Sequence, residues 1–161
     1  MTPAPAPPPL LYLDVDGPLV PFGAGPYPPA DDPNPLLARI DPSLGPGLAA
    51  LDCVPVWATT WMAGANRWVA PRLGLPALPV VEWPEPSAED GRGGVHWKTP
   101  ALVAHAAGRD FVWVDDEITG ADRAYVAARH PGRALLYRVD PGRGLTGRDL
   151  LVLEEWLRAG P

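Results

Sequence analysis

A short apolar segment that ends in two carboxylates, Leu10–Gly17, indicates the fold class of this chain. A continuous apolar run of this length is typical of a strand that is buried on both faces in a parallel sheet. Asp14 and Asp16 follow at the strand end, where open α/β sheets bind ligands, and their i, i+2 spacing points both toward one site. A divalent cation such as Mg²⁺ would relieve their repulsion. A turn capped by Asp and Gly explains the same residues without a ligand.

The composition predicts one globular domain of ordinary size. The chain has 161 residues, of which 47% are hydrophobic, and its net charge of -6 disfavours a broad electrostatic surface for nucleic acid. No apolar run is long enough to span a membrane. The single cysteine, Cys53, and the lack of a secretory signal predict a cytoplasmic protein. Residues 1–9 are rich in proline and predict an extended, disordered tail before a single domain at 10–161.

Apolar runs and helical periodicity alternate along the rest of the chain. This alternation predicts an α/β fold, a Rossmann-like three-layer sandwich with a central parallel sheet. The proline-rich segment 17–35 predicts an ordered loop that folds over the strand ends. Predicted strands are 10–15, 53–58, 78–83, 111–114 and 134–139, and predicted helices are 42–51, 63–73, 98–107, 119–129 and 146–156.

Further polar residues stand where these elements begin or end. Thr59 follows the second strand, and Asp115 and Asp116 end the fourth. Lys98, at the start of a helix, is the only lysine among 13 Lys and Arg residues. A compact ammonium suits a pocket beside carboxylates and phosphate better than a planar guanidinium does, although chance also explains a single lysine. Thr59 has an equally ordinary reading as a β-branched strand residue.

The order Asp-x-Asp, Thr, Lys, Asp-Asp resembles the four motifs of the haloacid dehalogenase (HAD) superfamily of phosphatases. The resemblance covers the chain after the tail. Longer phrases are similar to the HAD domain associated with bacterial RNA-repair proteins, namely Trp57–Trp61, Ala65–Asn66, Trp97–Thr99, Trp113–Glu117 and Gly144–Thr146.

The resemblance implies a role for each motif residue. Asp14 would be the nucleophile that forms an aspartyl-phosphate, and Asp16 would be the general acid and base. Thr59, with Thr60 as the alternative, would hydrogen-bond the phosphoryl group. Lys98 would neutralise phosphoryl charge and hold Asp14 in place.

The resemblance also implies a Mg²⁺ cofactor. Its ligands would be Asp14, the backbone carbonyl of Asp16, and Asp115, with Asp116 nearby or acting through water. The chain departs from the family at Pro18, where Thr or a β-branched residue is usual, which stiffens the turn after the carboxylates.

Neither connection beside the motifs has room for a large cap domain, so a capless, open site is expected. An open site and the RNA-repair-like phrases favour a nucleic-acid end such as a 3′-phosphate, whereas the acidic charge favours a small phosphoester. Trp61, Trp68, Trp83 and Trp97 either form a stacking surface near the site or pack in the core. The alternative from another class is a catalytically idle binding module, although the chain retains both motif carboxylates and the lysine.

Overall fold

The computed structural model describes residues 1–161 and contains a four-stranded, all-parallel sheet. The strands are β1 (Leu10–Leu13), β2 (Val54–Trp57), β3 (Phe111–Asp115) and β4 (Ala134–Arg138). Their order in the sheet is β2-β1-β3-β4. The first strand pairs with β2 on one side and with β3 on the other, so the chain order reverses direction at β1. Ligand-binding crevices of open α/β sheets form at such a point.

Alternation along β1 divides the core into two parts. Leu11 and Leu13 face the larger apolar cluster, and Leu10 and Tyr12 face the smaller one. The helices are α1 (Leu44–Ala50), α2 (Gly64–Trp68), α3 (Ala70–Leu73), α4 (Lys98–Ala106), α5 (Gly120–Arg129) and α6 (Gly147–Ala159). Side chains of α1, α2, α3 and α6 pack in the larger cluster, and those of α4 and α5 pack in the smaller one. The architecture is α/β and compatible with a Rossmann-like fold.

The predicted strand at 78–83 is wrong. Only Val80 forms a bridge, with Trp57, and just two hydrogen bonds join the segments there. Alternate residues of a strand direct their N–H groups to the same side. The two donors that join the segments are Trp57 and Val81, so an N–H group at position 55 or 79 would also be directed across the pair. Pro55 and Pro79 have no N–H, so the pairing cannot extend from the single bridge toward the start of the two segments.

The predicted helix at 63–73 is interrupted. Val69 separates α2 from α3, and Pro71 stands in the first turn of α3. Pro71 cannot donate to the carbonyl four residues earlier, and its ring excludes that carbonyl from an ideal position. The structure also has two 3₁₀ turns that the sequence pattern did not predict, Pro35–Arg39 and Arg92–Gly94.

The proline-rich loop 17–35 is tied by polar contacts to two other parts of the fold. Phe22 donates its N–H to the Pro141 carbonyl, and Asp32 forms an ion pair with Arg72. The Pro18 carbonyl accepts a hydrogen bond from the Leu145 N–H. These contacts fix the loop to the segment between β4 and α6 and to α3, and its first turn, at Gly17, lies beside Asp116.

Residues 1–9 have no helix or strand, although Val54 donates to the Pro9 carbonyl and Arg109 to that of Pro8. None of the six helices combines the length and the hydropathy that crossing a membrane requires.

Candidate active site

The Lys98 ammonium lies between two carboxylates at the carboxyl edge of the sheet. Its Nζ is 3.2 Å from Asp14 Oδ1 and donates to Asp115 Oδ2 at 2.8 Å. The three residues are 4%, 7% and 1% exposed, respectively. Charges buried to this degree are costly unless they are paired, so these two contacts are what allows the lysine and the carboxylates to occupy the interior.

Strand register brings the two carboxylates together. Leu13 of β1 lies opposite Val114 of β3, and Asp14 donates its N–H to the Val114 carbonyl at 3.1 Å. Asp14 and Asp115 are the next residues on the two adjacent strands. The parallel pairing that the apolar runs predict therefore places both carboxylates at one edge of the sheet.

The start of α4 directs Lys98 toward this edge. The Lys98 N–H donates to His96 Nδ1 at 3.1 Å, and the buried carboxylate of Asp122 accepts from the His96 N–H and from the Thr99 hydroxyl, each at 2.7 Å. Asp122 also completes the capping box of α5 with Thr119. One carboxylate thus ties the beginnings of α4 and α5 together and fixes the position from which the lysine extends.

Electrostatics at the site follow from burial and from the charge count. Burial raises the pKa of Asp14 to about 7, against the lowering effect of Lys98 and with a further increase from Asp115. Burial alone lowers the pKa of Lys98, but the two carboxylates more than offset this and raise it. Burial and the charge of Asp115 raise the pKa of Asp116 to about 6. The lysine is therefore charged at neutral pH. Its single positive charge does not balance the negative charge that the carboxylates around it carry when ionised.

A third carboxylate completes a group that can hold a metal ion. One oxygen from each of Asp14, Asp115 and Asp116 lies within 4.8 Å of the others. Gly17 makes this arrangement possible, because its φ is +99° and a Cβ there would lie 2.6 Å from Asp116 Cγ. Three carboxylate oxygens are the hard ligands that Mg²⁺ or Ca²⁺ prefers, and only one ammonium opposes their charge. The residues therefore fit a divalent cation.

The other two predicted residues lie beside this group and share one neighbour, Trp61. Asp16 is half-buried, and its Oδ2 accepts a hydrogen bond from Trp61 Nε1 at 3.1 Å. Thr59 is fully buried, and its hydroxyl oxygen accepts from the Trp61 N–H at 3.2 Å, whereas Thr60 is exposed. The Asp16 side chain is not one of the three converging carboxylates.

Trp83 and Trp97 flank the lysine. Their rings meet edge to face with 5.0 Å between centroids, and Lys98 Nζ lies 6.0 and 5.8 Å from the two centroids. Trp83 Nε1 also donates to the Thr59 carbonyl at 3.1 Å. Trp68, by contrast, is 41% exposed and stacks with Arg67, without a polar contact to any site residue. The tryptophans predicted as a group thus have different positions, and three of them contact the site.

Comparisons with models of protein families, with curated proteins and with solved structures found no match.

The sequence did not predict the roles of Trp61 and Asp122. Trp61 meets Asp16 across 45 positions of the chain, and nothing in the local pattern connects the two. Asp122 carries a local signal, since Thr119 with an acidic residue three positions later is a capping box. That signal predicts the cap but not the second set of donors, His96 and Thr99, which lie just before and at the start of α4.

Proposed function

We propose that the protein is a Mg²⁺-dependent phosphomonoester hydrolase that acts through an aspartyl-phosphate on Asp14. The observation that supports this most is the convergence of Asp14, Lys98, Asp115 and Asp116 at the sheet edge. A structural ion pair would need only one carboxylate for the lysine. Three carboxylates around one ammonium suit a site where a divalent cation and a phosphoryl group complete the charge balance.

Asp14 has an oxygen free for attack. Its Oδ1 accepts from the Val15 N–H at 2.8 Å and contacts Lys98, whereas no protein donor contacts its Oδ2. In the proposed reaction Oδ2 attacks phosphorus and the bond from phosphorus to the leaving oxygen breaks. Asp16 gives that oxygen its proton and then takes a proton from the water that attacks the aspartyl-phosphate. The bond between phosphorus and Asp14 breaks in this second step, and phosphate leaves.

The remaining residues hold the phosphoryl group and the metal ion. Lys98 and the Thr59 hydroxyl would donate to phosphoryl oxygens, which carry more charge in the transition state than in the substrate. Mg²⁺ would be held by Asp14, Asp115 and Asp116 with the Asp16 carbonyl, and when bound it would orient the phosphate and reduce its repulsion from the attacking carboxylate.

We also propose that the chain is a capless member of the HAD superfamily. The motif order supports this, and so do the connections beside the site. Between β1 and β2 there are only a 3₁₀ turn and α1, whose apolar side chains pack in the main core. Between β2 and α4, the short helices α2 and α3 pack in that core as well. These segments leave little chain for a separate lid, and an open site suits a bulky phosphoester such as a nucleic-acid 3′-phosphate.

Phosphate release would test the reaction and the substrate together. Wild type, Asp14→Asn and Asp31→Asn would be assayed with Mg²⁺ on an aryl phosphate, mononucleotides and oligonucleotides phosphorylated at the 3′ or the 5′ end. Asp31 is an exposed carboxylate outside the site and serves as the matched control. We expect release by wild type and Asp31→Asn and none by Asp14→Asn. Preference for oligonucleotide ends would support a role in nucleic-acid repair, and preference for small phosphates would support metabolite hydrolysis.

The second candidate is a binding module with the same fold. It predicts no phosphate release from any substrate by a folded protein that binds Mg²⁺.

Two exposed acids near the site bear on the substrate of the proposed hydrolase. The negative charges of Glu85 and Asp90 favour a small phosphoester over a polyanion.

A further inference from the structure

Trp61 makes one hydrogen bond to each of two residues of the proposed mechanism, Asp16 and Thr59. Its indole Nε1 donates to Asp16 Oδ2 at 3.1 Å, and its backbone N–H donates to Thr59 Oγ1 at 3.2 Å. The ring packs against the larger apolar cluster, which fixes its orientation. A rigid ring with a single N–H is well suited to hold one carboxylate oxygen in place.

Both contacts leave the reactive part of their partner free. The hydrogen bond occupies Asp16 Oδ2, and no protein donor contacts Asp16 Oδ1. Because Thr59 Oγ1 accepts from the backbone, the hydroxyl proton of Thr59 is available for a phosphoryl oxygen. The arrangement therefore restrains Asp16 through the oxygen that the proposed chemistry does not use, and Thr59 through a lone pair of its hydroxyl oxygen rather than through its proton.

We propose that Trp61 is a positioning residue that aims Asp16 Oδ1 at the leaving-group oxygen and at the hydrolytic water. The inference rests on the proposed function, because it assigns a cause to the orientation of the general acid and base. A carboxylate on a short side chain rotates freely unless a partner holds it, and a misplaced proton donor loses much of its rate advantage.

The variant Trp61→Phe removes the indole N–H and keeps the backbone N–H, so it breaks the contact with Asp16 and preserves the one with Thr59. We expect kcat on an alkyl phosphate to fall about tenfold with KM changed less than twofold. An aryl leaving group needs little protonation, so its single-turnover formation of the aspartyl-phosphate should stay within twofold of wild type. A general structural defect would slow both substrates.

Two controls separate positioning from folding. Trp68→Phe changes the same residue type at an exposed position without site contacts and should leave both rates unchanged. Replacement of Trp61 by benzothienylalanine keeps the bicyclic shape and lacks only the N–H, so it should reproduce Trp61→Phe even where the smaller ring disturbs packing.

A double-mutant cycle gives the decisive measurement. In an Asp16→Ala background, Trp61→Phe should change the residual kcat less than twofold, because the partner of the indole is already gone. A tenfold loss in that background, or equal losses in the single-turnover formation of the aspartyl-phosphate from alkyl and aryl phosphates, would overturn the inference while leaving the proposed function intact. Absence of turnover by the wild type would overturn the proposed function, and the inference with it.

Discussion

Replacement of Asp14 by asparagine should stabilise the protein in EDTA at pH 8 even though it removes the proposed nucleophile. Asp14 is 7% exposed, and burial raises the pKa of its carboxyl to about 7 despite Lys98, with Asp115 adding to the increase. In the unfolded chain that carboxyl returns to its ordinary value of 3.8. Above pH 7 the folded protein must hold a charge that water solvates better.

The sign and the magnitude follow from proton linkage. Because the folded-state pKa is the higher one, the folded protein binds the Asp14 proton more tightly, and its stability falls as pH rises from about 4 through 7. Three pKa units correspond to on the order of 4 kcal/mol, which is the upper limit of the loss. Asparagine removes that loss but keeps only part of the contact with Lys98, so we expect a gain of about 2 kcal/mol at pH 8.

Urea unfolding in EDTA at pH 5 and pH 8 would measure this effect. The difference in unfolding free energy between Asp14→Asn and wild type should be larger at pH 8 than at pH 5, and Mg²⁺ should reduce it by stabilising only the wild type. Asp31→Asn should follow the wild type at both pH values. A wild type that is more stable than Asp14→Asn at pH 8 would refute the view that Asp14 is held there at a cost in stability.

Three further perturbations test separate parts of the site. Lys98→Met should lower kcat at least 100-fold in the phosphate-release assay, because it removes the one cation between the carboxylates. Gly17→Ala should destabilise the protein by about 2 kcal/mol in urea unfolding, because the added Cβ would collide with Asp116. Gly120 has open space around it and no positive φ, so the control Gly120→Ala should change stability by less than 0.5 kcal/mol. Asp122→Ala should lower the free energy of unfolding by about 3 kcal/mol, because the buried donors that Asp122 accepts from lose their acceptor. A loss below 0.5 kcal/mol, as expected for an exposed residue, would contradict the role of Asp122 in fixing the start of α4.

Local sequence patterns predict those strands and helices whose structure does not depend on a particular partner segment. Buried apolar runs predict β1 and β3. The capping boxes formed by Thr119 with Asp122 and by Thr146 with Asp149 predict the starts of α5 and α6. The strand predicted at 78–83 fails because Pro79 and Pro55 of the neighbouring β2 both lack the N–H that pairing there would need. Apolar content alone does not report whether a neighbour can pair.

The same distinction applies to the site. Residues at the ends of parallel strands can be assigned to one edge from sequence, and the structure brings Asp14, Asp115 and Asp116 together there with Lys98. Trp61 reaches Asp16 only because the turn after β2 folds back beside the turn after β1, and that approach depends on the tertiary structure. Sequence therefore predicts which strands supply the chemistry better than it predicts what holds each side chain in place.

The charge balance of the site argues that it serves a ligand. A buried ion pair is often no more stable than apolar residues of similar volume, so stability alone gives little reason to keep Lys98 with Asp14 and Asp115. Asp116 adds a third carboxylate. Burial and the charge of Asp115 raise the pKa of this carboxyl to about 6. When all are ionised, three negative charges face one positive charge, an excess that one divalent cation neutralises. A phosphate added without the cation would increase the repulsion, so metal binding should precede or accompany substrate binding.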